Sequence, residues 1–305
     1  MKQNQSSVTS LVSAFGRAYH SRYDSPKIFD DHIAQKLITP EEFADISRNM
    51  VQGIAFFNPE IAERHKDDPD AILRWITQVQ LSPTPLARAA YCEDIVQHEL
   101  KLGLRQLVIL GAGMDTFAYR HPQLRDQLEI FEVDAPATQA FKQQRLRDVQ
   151  LEIPGNLHFV PMDFTSGLDY PGLLAQGFAP DAKTLFSLLG VSYYLTKEEN
   201  SRLITGLFAD LPAGSSIVLD YADERLWEEQ GLSGRVGKMV QLAAAGGEPM
   251  QSCFTYAEME QLMAGAGLLI YEHLSPEAIQ ERFFGNRSDD LAAFETIHYI
   301  HAVKR

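Results

Sequence analysis

The sequence predicts an α/β fold, a mostly parallel sheet of seven strands with helical crossovers set behind a helical N-terminal cap. Three observations lead there. From about residue 105 onward, short apolar runs alternate with helical patterns, as in a parallel sheet. The run Leu107-Val-Ile-Leu110 breaks at Gly111-Ala-Gly113, as a buried strand does when it turns into a ligand-facing loop. The first hundred residues instead carry helical periodicity.

In the cap, Val8, Leu11, Val12, Phe15 and Tyr19 fall on one face of an amphipathic helix that starts near Ser7. A second helix opens at Asp30-Asp-His, with acidic residues suited to a helix N-terminus, and stops at Thr39-Pro40. Residues Glu41–Val51 offer a third. Asn58-Pro59 and Lys66-Asp-Asp-Pro-Asp70 break the chain before a short helix over Ala71–Val79. After Ser82-Pro-Thr-Pro85 a longer helix runs over Leu86–Leu102 and closes at Gly103.

Strands are expected at Gln106–Leu110, Glu129–Val133, Leu157–Val160, Thr184–Leu188, Ser215–Leu219, Leu268–His273 and Thr296–Ala302. Helices fall between them at Ala135–Val149, Lys197–Leu211 and Thr255–Gly265. Between the last two strands only a short helix or turn near Pro276–Phe283 is visible, which suits a final hairpin-like antiparallel pairing. The division is a cap over residues 1–104 and a core over 105–305, with no linker that would separate them.

Composition narrows the function. Hydrophobic residues at 45% and charged residues at 22% of 305 are ordinary for a globular chain. A net charge of −14 argues against tracking phosphate backbones or anionic membranes, since both need a basic surface. Cys92 and Cys253 cannot build a disulfide framework or a four-cysteine zinc site, and no metal site is expected. With no leader pattern or spanning segment, the cytoplasm and a small-molecule partner are the expectation.

In such a sheet, ligands lie beyond the carboxyl ends of the strands. Gly111, Ala112 and Gly113 follow the first strand and leave room for close approach. Asp134 follows the second, about 20 residues on, where an acidic side chain accepts ribose hydroxyls. Asp163 and Phe164 follow the third and can take an exocyclic amine and cover a purine face. Leu189-Gly-Val-Ser-Tyr-Tyr-Leu195 follows the fourth, and Tyr193 or Tyr194 can face a substrate. Bland readings stand beside these: Asp134 or Asp163 as a cap, and the tyrosines as packing. Together, glycines and two acids after successive strands are the parts of an adenosine site. A dinucleotide site wants a third small residue at position 116, where this chain has Thr116 after the anionic Asp115. That acid would repel a pyrophosphate and attract a cationic ammonium or sulfonium.

Leu107-Val-Ile-Leu-Gly-Ala-Gly-Met-Asp-Thr-Phe-Ala-Tyr-Arg120, Phe131-Glu-Val-Asp-Ala-Pro136 and Leu189–Leu195 resemble the leucine carboxyl methyltransferase family, which includes bacterial polyketide-type O-methyltransferases. Gly16-Arg17-Ala18, Asp30-Asp-His-Ile-Ala34, Arg88-Ala-Ala-Tyr-Cys-Glu-Asp94 and Gly247-Glu-Pro249 with Phe254 extend the likeness along nearly the whole chain. The resemblance implies a class I, Rossmann-like methyltransferase sheet with the last strand inserted antiparallel, S-adenosylmethionine as cofactor, and a helical cap over it. By position it implies Arg88 on the cofactor carboxylate, Gly111 and Gly113 along its methionine part, Asp134 on the ribose, Asp163 and Phe164 at the adenine, and Arg17 near the carboxylate and substrate entrance. Many members carry a glutamate where this chain has Leu189, which leaves Asp115 or a backbone carbonyl to meet the cofactor ammonium.

The expected reaction is in-line methyl transfer to an oxygen of a small molecule, with alignment and water exclusion as the enzyme's contribution. A carboxylate acceptor needs no base, and Arg17 or Tyr193 would orient it. A hydroxyl acceptor would want a histidine, with His20, His273 and His298 as candidates. A nicotinamide-dependent oxidoreductase and a non-catalytic cofactor-binding module are the alternatives.

Overall fold

A computed structural model of the chain describes residues 8–164 and 167–305. Seven strands, β1 (Gln106–Leu110), β2 (Glu129–Asp134), β3 (Leu157–Pro161), β4 (Thr184–Leu188), β5 (Ser216–Ala222), β6 (Leu268–Leu274) and β7 (Ile297–Lys304), form one sheet in the order β3-β2-β1-β4-β5-β7-β6. The pairs β3-β2, β2-β1, β1-β4 and β4-β5 are parallel, whereas β7 pairs antiparallel with both β5 and β6. This is the sheet that the family resemblance implies, with the last strand inserted antiparallel. The order reverses between β1 and β4, so both strands open their carboxyl ends onto one crevice.

Alternation along β1 explains why the strand is apolar throughout. Leu107 and Ile109 face a core shared with the helix Pro83–Lys101, through Leu86, Tyr91 and Ile95. Val108 and Leu110 face the opposite core with Phe131, Phe186 and Leu203. A strand covered on both faces has no solvent side to mark with polar residues.

Most boundaries fall within a few residues of expectation, and the differences have local causes. The Pro83–Lys101 helix starts three residues early because Pro83 and Pro85 occupy its first turn, where no amide hydrogen is needed. Lys197–Phe208 stops before Leu211, ahead of Pro212. Pro136–Asp148 has Ala135 as its N-cap with no side-chain cap bond, so Asp134 is not the cap of that helix. The cap contains Val8–Tyr23, Ala34–Leu37, Pro40–Gln52, Ile54–Phe57, Pro59–Arg64 and Pro69–Ile76. The last continues as a buried π-helical turn, Thr77–Leu81, instead of an α-helix to Val79. The helix Arg235–Ala245, between β5 and Tyr256–Gly265, has no counterpart in the sequence reading. Among the described residues, no helix is long and apolar enough to cross a membrane, and no group of three His, Cys, Asp or Glu could hold a metal ion.

Candidate active site

The loops after β1 to β4 enclose a cavity of ≈ 270 Å³, roofed by Thr9, Ser10, Ser13 and Arg17 of the first helix. Gly111 and Gly113 lie in left-handed conformations (φ 72° and 51°) that an L side chain rarely adopts. A Cβ on Gly113 would stand 2.8 Å from the Ser10 Cβ, and one on Gly111 would run into the Val191 side chain. The loop therefore passes as close to the cap and to the β4 loop as a bare backbone allows.

Asp134 ends β2 and is buried at the cavity wall. Its Oδ2 accepts the Gly113 amide at 2.6 Å and its Oδ1 accepts the Ala135 amide at 2.6 Å. Burial raises its pKa, against the pull of these two amides and of Lys142. A carboxylate offers about four lone-pair sites, so two remain for a ligand. Asp115 Oδ1 accepts the Phe117 amide at 2.7 Å, which fixes the turn into Phe117–Arg120.

Arg88, from the Pro83–Lys101 helix, donates to Tyr193 Oη at 3.2 Å and to Asp220 Oδ2 at 3.4 Å. Asp220 is fully buried in β5, and its Oδ1 accepts the Gly190 amide at 2.6 Å. Burial raises the Asp220 pKa while Arg88 opposes it. Arg17 donates from Nε to Asp31 Oδ2 at 2.8 Å and from Nη2 to the Met114 carbonyl at 2.8 Å, tying the first helix to the β1 loop. Asp31 also accepts the Thr116 hydroxyl at 2.8 Å. Burial alone would raise the Asp31 pKa, but Arg17 and Arg120 outweigh it and hold it below the usual value. Arg120 forks onto Glu93, which His121 meets at 2.9 Å.

Arg17, Arg88, Gly111, Ala112, Gly113, Asp115, Asp134, Asp163, Phe164 and Leu189 all line this one cavity. Tyr193 does not; it is buried behind Arg88, and the adjacent Tyr194 lines the wall instead. The sequence model of the family described as Leucine carboxyl methyltransferase matches residues 10–208, about two thirds of the chain. The chain belongs to the leucine carboxyl methyltransferase family. It is 63% identical, over the full length of both chains, to a Bacillus subtilis (strain 168) protein described provisionally as an S-adenosyl-L-methionine-dependent methyltransferase. A Mycobacterium tuberculosis (strain ATCC 25618 / H37Rv) protein of like description is 31% identical over 223 residues, which are 71% of this chain and 60% of the relative. In fold it is similar to a DUF574 family protein from Streptomyces avermitilis MA-4680, with TM-score 0.53 and 19% identity over 82% of this chain and 90% of that one.

This family member is therefore an S-adenosylmethionine-dependent methyltransferase, and the oxidoreductase alternative falls away. The three candidate histidines are all placed away from the cavity. His20 is fully buried; its Nδ1 lies 2.7 Å from Asp24 and its Nε2 accepts the Ile28 amide at 2.8 Å, so it is a structural imidazole. His273 and His298 stack on each other beside Tyr221 and Asp223, and burial pushes His273 down to about 4. Sequence reasoning missed Asp31, Glu93, Asp220 and Glu248 as cavity or support residues. Asp220 had a visible signal, a carboxylate inside the apolar run Ser216–Ala222, which must be paired to be buried. Glu248, which accepts the Thr9 hydroxyl at 2.5 Å, had none beyond the Gly247-Glu-Pro249 motif.

Proposed function

We propose that this methyltransferase acts on an oxygen of a small molecule, and on a carboxylate in particular. The observation that carries the reading is the cavity wall: among the described residues it holds no histidine. Of its arginines, Arg17, Arg88 and Arg120, each is met by an acid, and the first two keep an edge on the cavity. A carboxylate is ionised at neutral pH and needs no base, whereas a hydroxyl would want one. The family description also names a carboxyl acceptor. The roof made by the first helix favours an acceptor small enough to sit beneath it.

S-adenosylmethionine, when bound, supplies an electrophilic methyl group on a sulfonium. The residues present fit it: glycine backbone at Gly111 and Gly113, a carboxylate with spare lone pairs at Asp134, and a cation at Arg88. In this reading Asp134 accepts the ribose hydroxyls, Asp163 and Phe164 frame the adenine, and Gly111 and Gly113, with Ala112 between them, line the methionine part. Arg88 meets the cofactor carboxylate. Asp115 or a backbone carbonyl meets the ammonium, since Leu189 cannot. Arg17, with an edge on the cavity, orients the acceptor. Tyr193 acts through Arg88, as a positioning residue.

The test is the pH dependence of methyl transfer to carboxylic acids and to alcohols. Carboxylate methylation should give a flat kcat/KM between about pH 6 and 8. A limb titrating near the histidine range, with alcohols preferred, would overturn the carboxylate reading.

A further inference from the structure

Behind the glycine loop, a buried lysine sits among three acids. Lys142 of the Pro136–Asp148 helix donates to Glu132 Oε2 at 2.5 Å and to the Asp115 carbonyl at 2.6 Å. The Lys142 and Glu132 side chains are each 1% exposed, and neither lines the cavity. Glu132 stands two residues before Asp134 on β2, so the two side chains share a face of the sheet. Burial pushes Glu132 up to about 7 even with Lys142 beside it, and the Asp115 and Asp134 charges add to the rise.

Stability does not account for this pair. Taking two charges out of water costs about as much as their attraction returns unless the remaining lone pairs are satisfied, and Glu132 Oε1 has no hydrogen-bond partner among the described residues. What the pair does supply is a charged donor at one backbone carbonyl. The Asp115 amide donates to the Ala112 carbonyl at 2.8 Å, its carbonyl accepts from Lys142, and its Oδ1 accepts the Phe117 amide at 2.7 Å. These three anchors fix the residue, and Oδ2 is the oxygen left over on a side chain that lines the cavity. The Asp115 charge is felt at the Cys92 thiol, one helical turn from Arg88 on the Pro83–Lys101 helix. An anion and a cation thus converge beside that helix, as the ammonium and carboxylate of an α-amino acid require.

We propose that Lys142 is a positioning residue for the cofactor: by pinning the Asp115 carbonyl it aims Asp115 Oδ2 at the ammonium of the methionine part, the contact that Leu189 cannot make. This rests on the cofactor placement given above and selects the Asp115 carboxylate over a backbone carbonyl.

The experiment titrates the full chain by calorimetry with S-adenosylhomocysteine and with its deaminated analogue, which keeps the carboxylate and lacks the ammonium. No acceptor is present, so the outcome does not depend on the oxygen-methylation reading. Asp115→Asn, which keeps an acceptor for the Phe117 amide, should weaken S-adenosylhomocysteine about tenfold or more and leave the analogue within about threefold of wild type. Lys142→Met with Glu132→Leu replaces the pair by apolar groups and should keep the melting temperature. It should show the same selective loss, and combined with Asp115→Asn it should add nothing further, because both act through one contact. Lys142→Met alone, in which the buried Glu132 takes up a proton, gives a second reading of that contact. Equal weakening of both ligands in the lysine variants, or no weakening, overturns the role of Lys142. Selective loss confined to Asp115→Asn does so too, but leaves the ammonium at Asp115. No selective loss in Asp115→Asn overturns that placement and the proposal with it.

Discussion

Replacing Asp134 by alanine separates a carboxylate that binds ligand from one that only props the glycine loop. In the structure both oxygens are engaged at 2.6 Å by the Gly113 and Ala135 amides. Removing them leaves the buried Gly113 N–H without an acceptor, a cost of about 1–3 kcal/mol to the unliganded protein. Part of this is offset, because burial raises the Asp134 pKa and its charge is therefore held at some cost. The ribose bonds proposed for Asp134 would be a further loss, one that appears only in binding. One charge-assisted hydrogen bond is worth about 1.5–3 kcal/mol, which raises the dissociation constant about 10- to 150-fold. Thermal melting reads the first term and calorimetric titration with S-adenosylhomocysteine reads the second. A protein that melts earlier yet binds S-adenosylhomocysteine within about threefold of wild type would show that Asp134 serves the loop alone, and would remove it from the cofactor site.

Three other perturbations test the rest of the site. Arg88→Met strands Asp220, which is fully buried, and should cost about 3–5 kcal/mol of stability; adding Asp220→Asn should restore most of the melting temperature while cofactor affinity stays low, and recovery of both would limit Arg88 to neutralising Asp220. Gly113→Ala should weaken cofactor binding by forcing the first helix off the loop, and Ser10→Gly should rescue part of it by removing the atom that the new Cβ meets at 2.8 Å; no rescue would place the defect in the backbone strain at φ 51° instead. Asp31→Asn should lower stability at neutral pH, because the folded-state pKa of Asp31 lies below its ordinary value of 3.8. The wild-type advantage is present above that value and is lost as pH falls through the folded pKa, so the two melting curves should converge in acid; a gap that persists in acid would assign the loss to packing.

Much of this architecture is legible in the chain because its cause is local. The run Leu107–Leu110 breaks at glycines whose positive φ the structure confirms, and Asp134 and Asp163 stand at strand ends because a parallel sheet delivers them there. What stays hidden depends on partners far away in sequence. Asp31 meets Thr116 across 85 positions, Arg88 meets Asp220 across 132, and Thr9 meets Glu248 across 239. No periodicity encodes such pairings. The Lys142–Glu132 pair is similar: each side chain is 1% exposed and they meet at 2.5 Å. Lys142 also donates to the Asp115 carbonyl at 2.6 Å, so a lysine that looks like a solvated helix residue braces the glycine loop from behind. Tyr193 is the converse case, since its place after a strand suggests a substrate contact but its ring points into the core behind Arg88.

The central claim, methyl transfer from S-adenosylmethionine to a carboxylate in this cavity, is most directly tested with methyl-labelled cofactor and a panel of carboxylic acids. Label should pass to the acid and be released as volatile methanol on mild alkaline treatment, as methyl esters are. Label that enters the product but survives alkali, or transfer only to alcohols or amines, would contradict it.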